Sequence, residues 1–196
     1  MQMIRSGFCL TVVLTLLTGL VYPLAMTAVA QVVFPKQANG SLLEKDGKLV
    51  GSLLIGQGFS QDHYFIGRPS AAGENGYDAT ASGGSNLGPN SEKLMTAIKD
   101  KVSEVRAQND LAKEATIPAD LATSSGSGLD PDISLDGAYL QIDRVAAKRG
   151  LAPGQVRKLV DSLAKGPQFG LLGETRVNVL ELNLALDSIQ AGNQVK

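Results

Sequence analysis

Residues 6 to 35 carry no charged side chain; most of that run is Leu, Val, Thr, Ala and Gly. As a helix rising 1.5 Å per residue, the stretch from Ser6 to Val33 reaches roughly 42 Å, beyond the roughly 30 Å of a bilayer's hydrocarbon. A cleaved secretory signal competes with this reading, since Ala28-Val29-Ala30 has the small-x-small pattern of a cleavage site. Yet the apolar region of such a signal runs about 7 to 15 residues, and here it continues from Phe8 past that point to Phe34. The segment therefore predicts an uncleaved membrane anchor over residues 1–35 and a separate body over residues 36–196.

Within the anchor, Thr11, Thr15 and Gly19 recur every fourth residue, and small residues at that spacing let two helices approach closely in lipid. Pro23 lacks an amide hydrogen and its ring crowds the carbonyl of Gly19, so a kink is expected there, with Tyr22 beside it as a polar handle. Together these five residues predict a face for a partner helix. The positive-inside rule guides orientation weakly, with Arg5 on one side and Lys36, Lys45 and Lys48 on the other. A short amino-terminal tail before a signal-like stretch places the body outside the cytoplasm.

The body holds all the Lys and Arg except Arg5, out of 18, together with all 19 Asp and Glu. This balance, without a basic stripe, excludes nucleic acid as a partner, because phosphate binding needs clustered cations. The single cysteine, Cys9, lies in the anchor, so no intrachain disulfide forms. Asn39-Gly40 and Asp46-Gly47 flank Leu42 and Leu43 and predict a hairpin. The β-leaning run Leu49 to Gln57 and the short stretch His63 to Ile66 read as strands, the second ending at Arg68-Pro69. Residues 69 to 89 form a long loop. A helix capped by Asn90 or Ser91 follows, with Leu94, Ile98, Val102 and Val105 on one face. Residues 109 to 133 return to loop chemistry. Further helices are expected from Ser134 to Gly150, from Gly154 to Ala164, and through Val179, Leu182, Leu186 and Ile189, the last preceded by a short strand or turn around Leu171 to Val177. The order specifies an α+β fold, one transmembrane helix followed by a single small mixed α/β extracytoplasmic domain.

Several chemistries fail on their residue requirements. Gly51 and Gly56 have phosphate-loop spacing, but Gln57 stands where the Lys is needed. Asp130, Asp132, Ser134 and Asp136 alternate like calcium ligands, but Leu135 and Gln141 occupy the obligatory Gly and Glu positions, which favours an acidic, helix-capping turn. Ser162 and Lys165 fit Ser-x-x-Lys at the wrong end of a helix for a nucleophile. His63 is the lone histidine, too few for a multi-histidine zinc site. No catalytic or metal-binding residue is assigned. What remains is Ser82-Gly83-Gly84-Ser85-Asn86, whose amides suit an anion or a protein backbone, and which resembles the Ser-Gly-Gly signature of ABC transport ATPases. A tight turn packed on Tyr77-Asp78 explains the same glycines. No Lys or Arg occurs between Pro69 and Pro89; the nearest, Arg68, suits an ion pair with Glu74 or Asp78 equally well.

Across nearly its full length the chain resembles the C-subunit family of the bacterial Kdp potassium-transporting P-type ATPase. The resemblance is carried by Tyr22-Pro23, Gln37-Ala38-Asn39-Gly40-Ser41, Leu54-Ile55-Gly56-Gln57, Tyr64-Phe65-Ile66-Gly67-Arg68-Pro69-Ser70-Ala71 and Ala81-Ser82-Gly83-Gly84-Ser85-Asn86-Leu87. It continues through Ser125-Gly126-Ser127-Gly128-Leu129-Asp130, Gln141-Ile142-Asp143-Arg144-Val145-Ala146 and Val177 to Asp187. It implies a single-span inner-membrane subunit, and the orientation argued above sets its soluble domain on the periplasmic side. The implied partners are a channel-like potassium-binding chain, a P-type ATP-hydrolysing chain, a small single-span peptide and membrane lipid. The implied role is that of a catalytic chaperone that raises the ATP affinity of the hydrolysing chain. This chain alone is assigned no cofactor; ATP within the complex, contacted through Ser82 to Asn86, is the alternative. Asp100-Lys101-Val102-Ser103 only echoes the Asp-Lys-Thr-Gly phosphorylation motif, so catalysis is expected in another chain. The expected topology sets Ser82 to Asn86 where ATP is scarce, so an effect on ATP requires transmission through the membrane or the opposite topology.

Overall fold

The computed structural model describes residues 1–45 and 47–194, with side chains through Ile189. They divide into two compact units, which meet between Ser52 and Leu53.

The first unit begins with an apolar helical run from Gln2 to Val33, with no buried residue and long enough to cross a membrane. It comprises α1 (Gln2–Leu16), a π turn (Leu17–Val21) and α2 (Tyr22–Val33). The wide turn immediately precedes Pro23, where the Tyr22 amide reaches back five residues to the Leu17 carbonyl. Wide turns of this kind relieve a backbone that cannot keep the regular ladder. A short α3 (Pro35–Ala38) follows, and Asn39 folds back to donate to Gln31 Oε1 at 3.1 Å. The expected hairpin forms from β1 (Leu42–Lys45) and β2 (Lys48–Ser52), antiparallel, with a bulge between Leu43 and Glu44. The strand expected to reach Gln57 stops at Ser52. Beyond it the backbone is taken by the second unit: the Leu53 carbonyl accepts from Asn178 Nδ2, and the Gly56 amide donates to the Leu129 carbonyl.

In the second unit, α4 (Glu92–Gln108) starts at Ser91, whose Oγ accepts from the Leu94 amide. Of its apolar face only Val105 is buried; Leu94, Ile98 and Val102 are half-exposed. The stretch read as loop from 109 to 133 holds two short elements, α5 (Ala119–Ala122) and β3 (Asp132–Ser134). Both are too short for periodicity to show, and they are fixed by Asp120, whose carboxylate accepts from the Ser134 amide at 2.7 Å and from its hydroxyl at 3.1 Å. Ser134 in turn caps α6 (Leu135–Arg149) by accepting from the Gly137 amide. Next come α7 (Pro153–Leu163), β4 (Arg176–Asn178) and α8 (Val179–Gln194). β3 pairs antiparallel with β4, so α6 and α8 leave from opposite ends of this short ladder. The core lies between these helices and includes Phe65, Ile133, Val145, Val160, Leu182 and Leu186, each at most 1% exposed.

Residues 63 to 66 are not the strand the sequence suggests: His63 and Tyr64 lie in a turn and bend, the Tyr64 amide donating to the Gln61 carbonyl at 3.0 Å, and among the described residues no strand pairs with the segment. Side chains from α6 and α8 take its place. Asn183 donates Nδ2 to the Phe65 carbonyl at 3.0 Å and accepts from the Phe65 amide at 2.9 Å. Gln141 does the same for Ile66, at 3.1 and 2.8 Å. Arg144 donates to the carbonyls of Asp62 and Tyr64, and Arg149 to that of His63 at 2.7 Å. Buried backbone groups need partners, and here four long polar side chains supply them. The arrangement seats Phe65 in the core, fully buried.

Candidate functional site

The loop Ser82 to Asn86 lies against the Ser125 to Gly128 turn. The Gly83 amide donates to the Ser127 carbonyl at 2.9 Å, and the Ser82 hydroxyl donates to the same oxygen at 3.0 Å. The approach is close enough to demand glycine at two points. A Cβ on Gly84 would stand 3.1 Å from the Gly126 carbonyl oxygen. Gly128, at φ +67°, would set a Cβ 2.5 Å from the Gly83 carbonyl oxygen and 2.7 Å from the Ala72 amide. The expected packing on Tyr77-Asp78 is reduced to one bond, from the Ala81 amide to the Asp78 carbonyl. The partner of the glycines is thus a second Gly-Ser turn, some 45 residues further along the chain. Repetition of Ser-Gly in both segments is the signal that could have paired them.

Ser70 ties this layer to the preceding one. Its hydroxyl donates to the Gly128 carbonyl at 2.6 Å and accepts from the Tyr77 amide at 2.7 Å. Tyr77 donates its phenol hydrogen to the Arg68 carbonyl. Burial raises the Tyr77 pKa above the ordinary phenol value, and the nearby Asp130 carboxylate adds to the rise. Arg68 pairs with Asp130 at 2.9 Å, not with Glu74 or Asp78 as the sequence allowed. Asp78 instead accepts from the amide and hydroxyl of Thr80, and these bonds hold its pKa below the usual carboxylate value.

Beside this layer is a cleft of about 260 Å³, lined by Arg68, Ser70, Tyr77, Lys101 and Glu104 among others. Drug-sized ligands occupy roughly 300 to 1,000 Å³. Each cation at the cleft already faces a carboxylate, Arg68 with Asp130 and Lys101 with Glu104 at 2.9 Å. A triphosphate would have to break those pairs to gain compensating charge.

The other residue patterns resolve into local bonds. Asp132 accepts from Arg176 Nε at 3.0 Å, and Asp130 accepts from the Asp132 amide. Ser162 donates to the Leu159 carbonyl, whereas Lys165 pairs with Glu181 at 2.6 Å. His63 lies against the Tyr64 ring, centroids 4.4 Å apart. Among the described residues no three His, Cys, Asp or Glu side chains converge as a metal site would require.

In the apolar helix, Thr11 donates to the Gly7 carbonyl at 2.9 Å, and Gly19 sits within the π turn with no atom near its Cβ position. Tyr22 is 61% exposed and Pro23 opens the first turn of α2. Thr11, Thr15 and Gly19 therefore remain on an unpartnered helix surface. The residues whose role sequence reasoning missed are Gln141, Arg144, Arg149 and Asn183, which lock residues 62 to 66. Their signal was an amide or guanidinium set directly within an apolar helical stripe.

The family described as K+-transporting ATPase, c chain, matches residues 4–188. The chain belongs to the KdpC family. It is 54% identical over 192 residues to the potassium-transporting ATPase KdpC subunit of Paraburkholderia xenovorans, covering 97% of this chain and 99% of the relative. It is 53% identical over 191 residues to that of Gemmatimonas aurantiaca, covering 97% and 95%. Against that of Rhodopseudomonas palustris the figure is 52% over 196 residues. The KdpC match takes in both the apolar helix and the body, so the anchor and the Gly-Ser layer belong to one family pattern.

Proposed function

We propose that this chain is a non-catalytic accessory subunit of an ATP-driven potassium uptake complex. It is held by one span in the inner membrane, with its body on the periplasmic side. Its partners are the channel-like potassium-binding chain, the P-type ATP-hydrolysing chain and a small single-span peptide, and its effect is to raise the ATP affinity of the hydrolysing chain. The observation that carries the reading is the unburied apolar helix with its small-residue face, in a chain whose KdpC relatives are named as subunits of a potassium-transporting ATPase. A helix in lipid gains from packing on another where small side chains permit approach. Gly19→Leu places a branched side chain on that face and is expected to cut co-purification with the other subunits several-fold, while Leu14→Val leaves it intact. Full recovery of the Gly19→Leu complex would count against the face.

Ser82 to Asn86 serves local folding or contact with a partner protein. The bond from the Gly83 amide to Ser127, and the pairing of Arg68 with Asp130, support this over direct ATP binding. Ser82 and Ser85 are exposed, which makes single cysteines there useful as topology probes. In a Cys9→Ser background, a membrane-impermeant maleimide is expected to label Ser82→Cys in whole cells. Labelling only after permeabilisation would put the loop in the ATP-containing compartment and revive the nucleotide alternative.

A further inference from the structure

Between α7 and β4 the chain runs out into a small hairpin. Its base is the mutual pairing of Lys165 and Arg176, whose amides and carbonyls exchange bonds of 2.8 and 3.0 Å. Three residues further out, Gln168 and Leu172 exchange bonds of 2.8 and 2.9 Å, and the Gly170 amide donates to the Pro167 carbonyl. The tip is therefore fixed by its own backbone and rooted in the β3–β4 pair. It presents Phe169, Leu171 and Leu172 at 89%, 87% and 62% exposure. Phe169 also takes φ +55°, a left-handed conformation that a bulky side chain seldom adopts outside special sites. Three large apolar groups displayed on an ordered support form a pre-organised anchor, the kind of element that dominates protein interfaces.

We infer that this tip, Pro167 to Glu174, docks into an apolar pocket on another subunit of the same ATPase, with a basic group on the pocket's rim for Glu174. The inference rests on the accessory-subunit reading above and gives that reading a contact surface in the body. Charge selects a protein over a bilayer. Elements that dip into a membrane surface place Lys or Arg beside their apolar residues to meet anionic lipid. From Gly166 to Thr175 the single charge is Glu174, of the opposite sign. The flanking cations are occupied within the fold, Lys165 by Glu181 and Arg176 by Asp132.

The test uses the full chain in native membranes, with p-benzoylphenylalanine in place of Phe169. Irradiation is expected to give an adduct between this chain and another ATPase subunit. An adduct with lipid, an adduct with a second copy of this chain, or no adduct overturns the proposal. Independently, the triple change Phe169→Ser, Leu171→Ser, Leu172→Ser is expected to lower the amount of this chain recovered with the complex at least fivefold. The melting temperature of the membrane-extracted chain should stay unchanged, because the three side chains lie outside the core. Recovery within twofold of the unaltered chain, or a collapse of the melting transition, overturns it as well. If the unaltered chain does not co-purify with other subunits, the accessory role fails; if it does and residue 169 reaches no subunit, only the docking fails.

Discussion

Residues 42–52 and residues 62–66 begin from similar sequence, short β-leaning runs bounded by turn formers, and end with different partners. The first finds a strand, and β1 and β2 satisfy each other's backbone groups. The second finds the amide heads of Gln141 and Asn183 and the guanidinium groups of Arg144 and Arg149. A buried backbone must be paired, but nothing requires the pairing groups to be backbone. The difference has energetic content. A strand pair spreads its bonds over many equivalent groups, whereas the side-chain version concentrates them on a few residues of two helices, each of which is then costly to lose.

Arg144 offers the sharpest way to break this contrast. It is 8% exposed and donates to the carbonyls of Asp62 and Tyr64, to Gln141 Oε1 and to Asn109 Oδ1. Burial lowers its pKa below the ordinary guanidinium value, and the charge of the nearby Asp62 carboxylate opposes that shift. Arg144→Met strands several buried acceptors and is expected to cost about 3–5 kcal/mol, a fall in Tm of roughly 10–15 °C for a body of this size. Differential scanning calorimetry of the detergent-solubilised chain measures it; a shift below about 3 °C would mean that the segment holds itself. A smaller loss, about 2–3 kcal/mol, is expected for Asn183→Leu, which keeps the branched shape but leaves the Phe65 amide and carbonyl without partners. Urea denaturation followed by far-ultraviolet circular dichroism gives its value. At the low end is Ser52→Ala in the hairpin, which removes the 2.7 Å bond to the Gly40 carbonyl and is worth about 1 kcal/mol. Hydrogen exchange should quicken at β1 and β2 while the melting of the body stays put. A parallel drop in the body would show that the two regions are not energetically separate.

The same contrast explains what was legible beforehand. The long apolar helix, the β1–β2 hairpin, and α4, α6, α7 and α8 follow from composition, periodicity, caps and turn residues, all of which act within a few positions. The strand assignment for His63 to Ile66 failed, because the segment turns at His63 and Tyr64 and is held by side chains: Asn183 lies 118 residues away from Phe65, and an isolated amide carries no pairing code. The pairing of Ser82 to Gly84 with Ser125 to Gly128 was hidden for the same reason. Composition marked both as Gly-Ser turns, but their complementarity resides in the close approach at Gly84 and Gly128, which one chain's local pattern does not encode. Arg68 was recognised as the cation nearest the loop, yet its choice of Asp130 over Glu74 and Asp78 is a matter of three-dimensional distance.

The π turn at Leu17–Val21 alters how the anchor should be treated as a wave. One additional residue in a helix of 3.6 residues per turn advances the phase by about 100°. A stripe traced through Thr11 and Thr15 therefore does not continue in line beyond Val21; the side of α2 beneath it is occupied by residues one step later in the sequence. A neighbouring helix lying straight along the anchor would meet one set of side chains in the first half and a set displaced by about a quarter of the circumference in the second. Substitution scans of this segment should accordingly be fitted with two periodic functions joined at residues 17–21, each with its own origin.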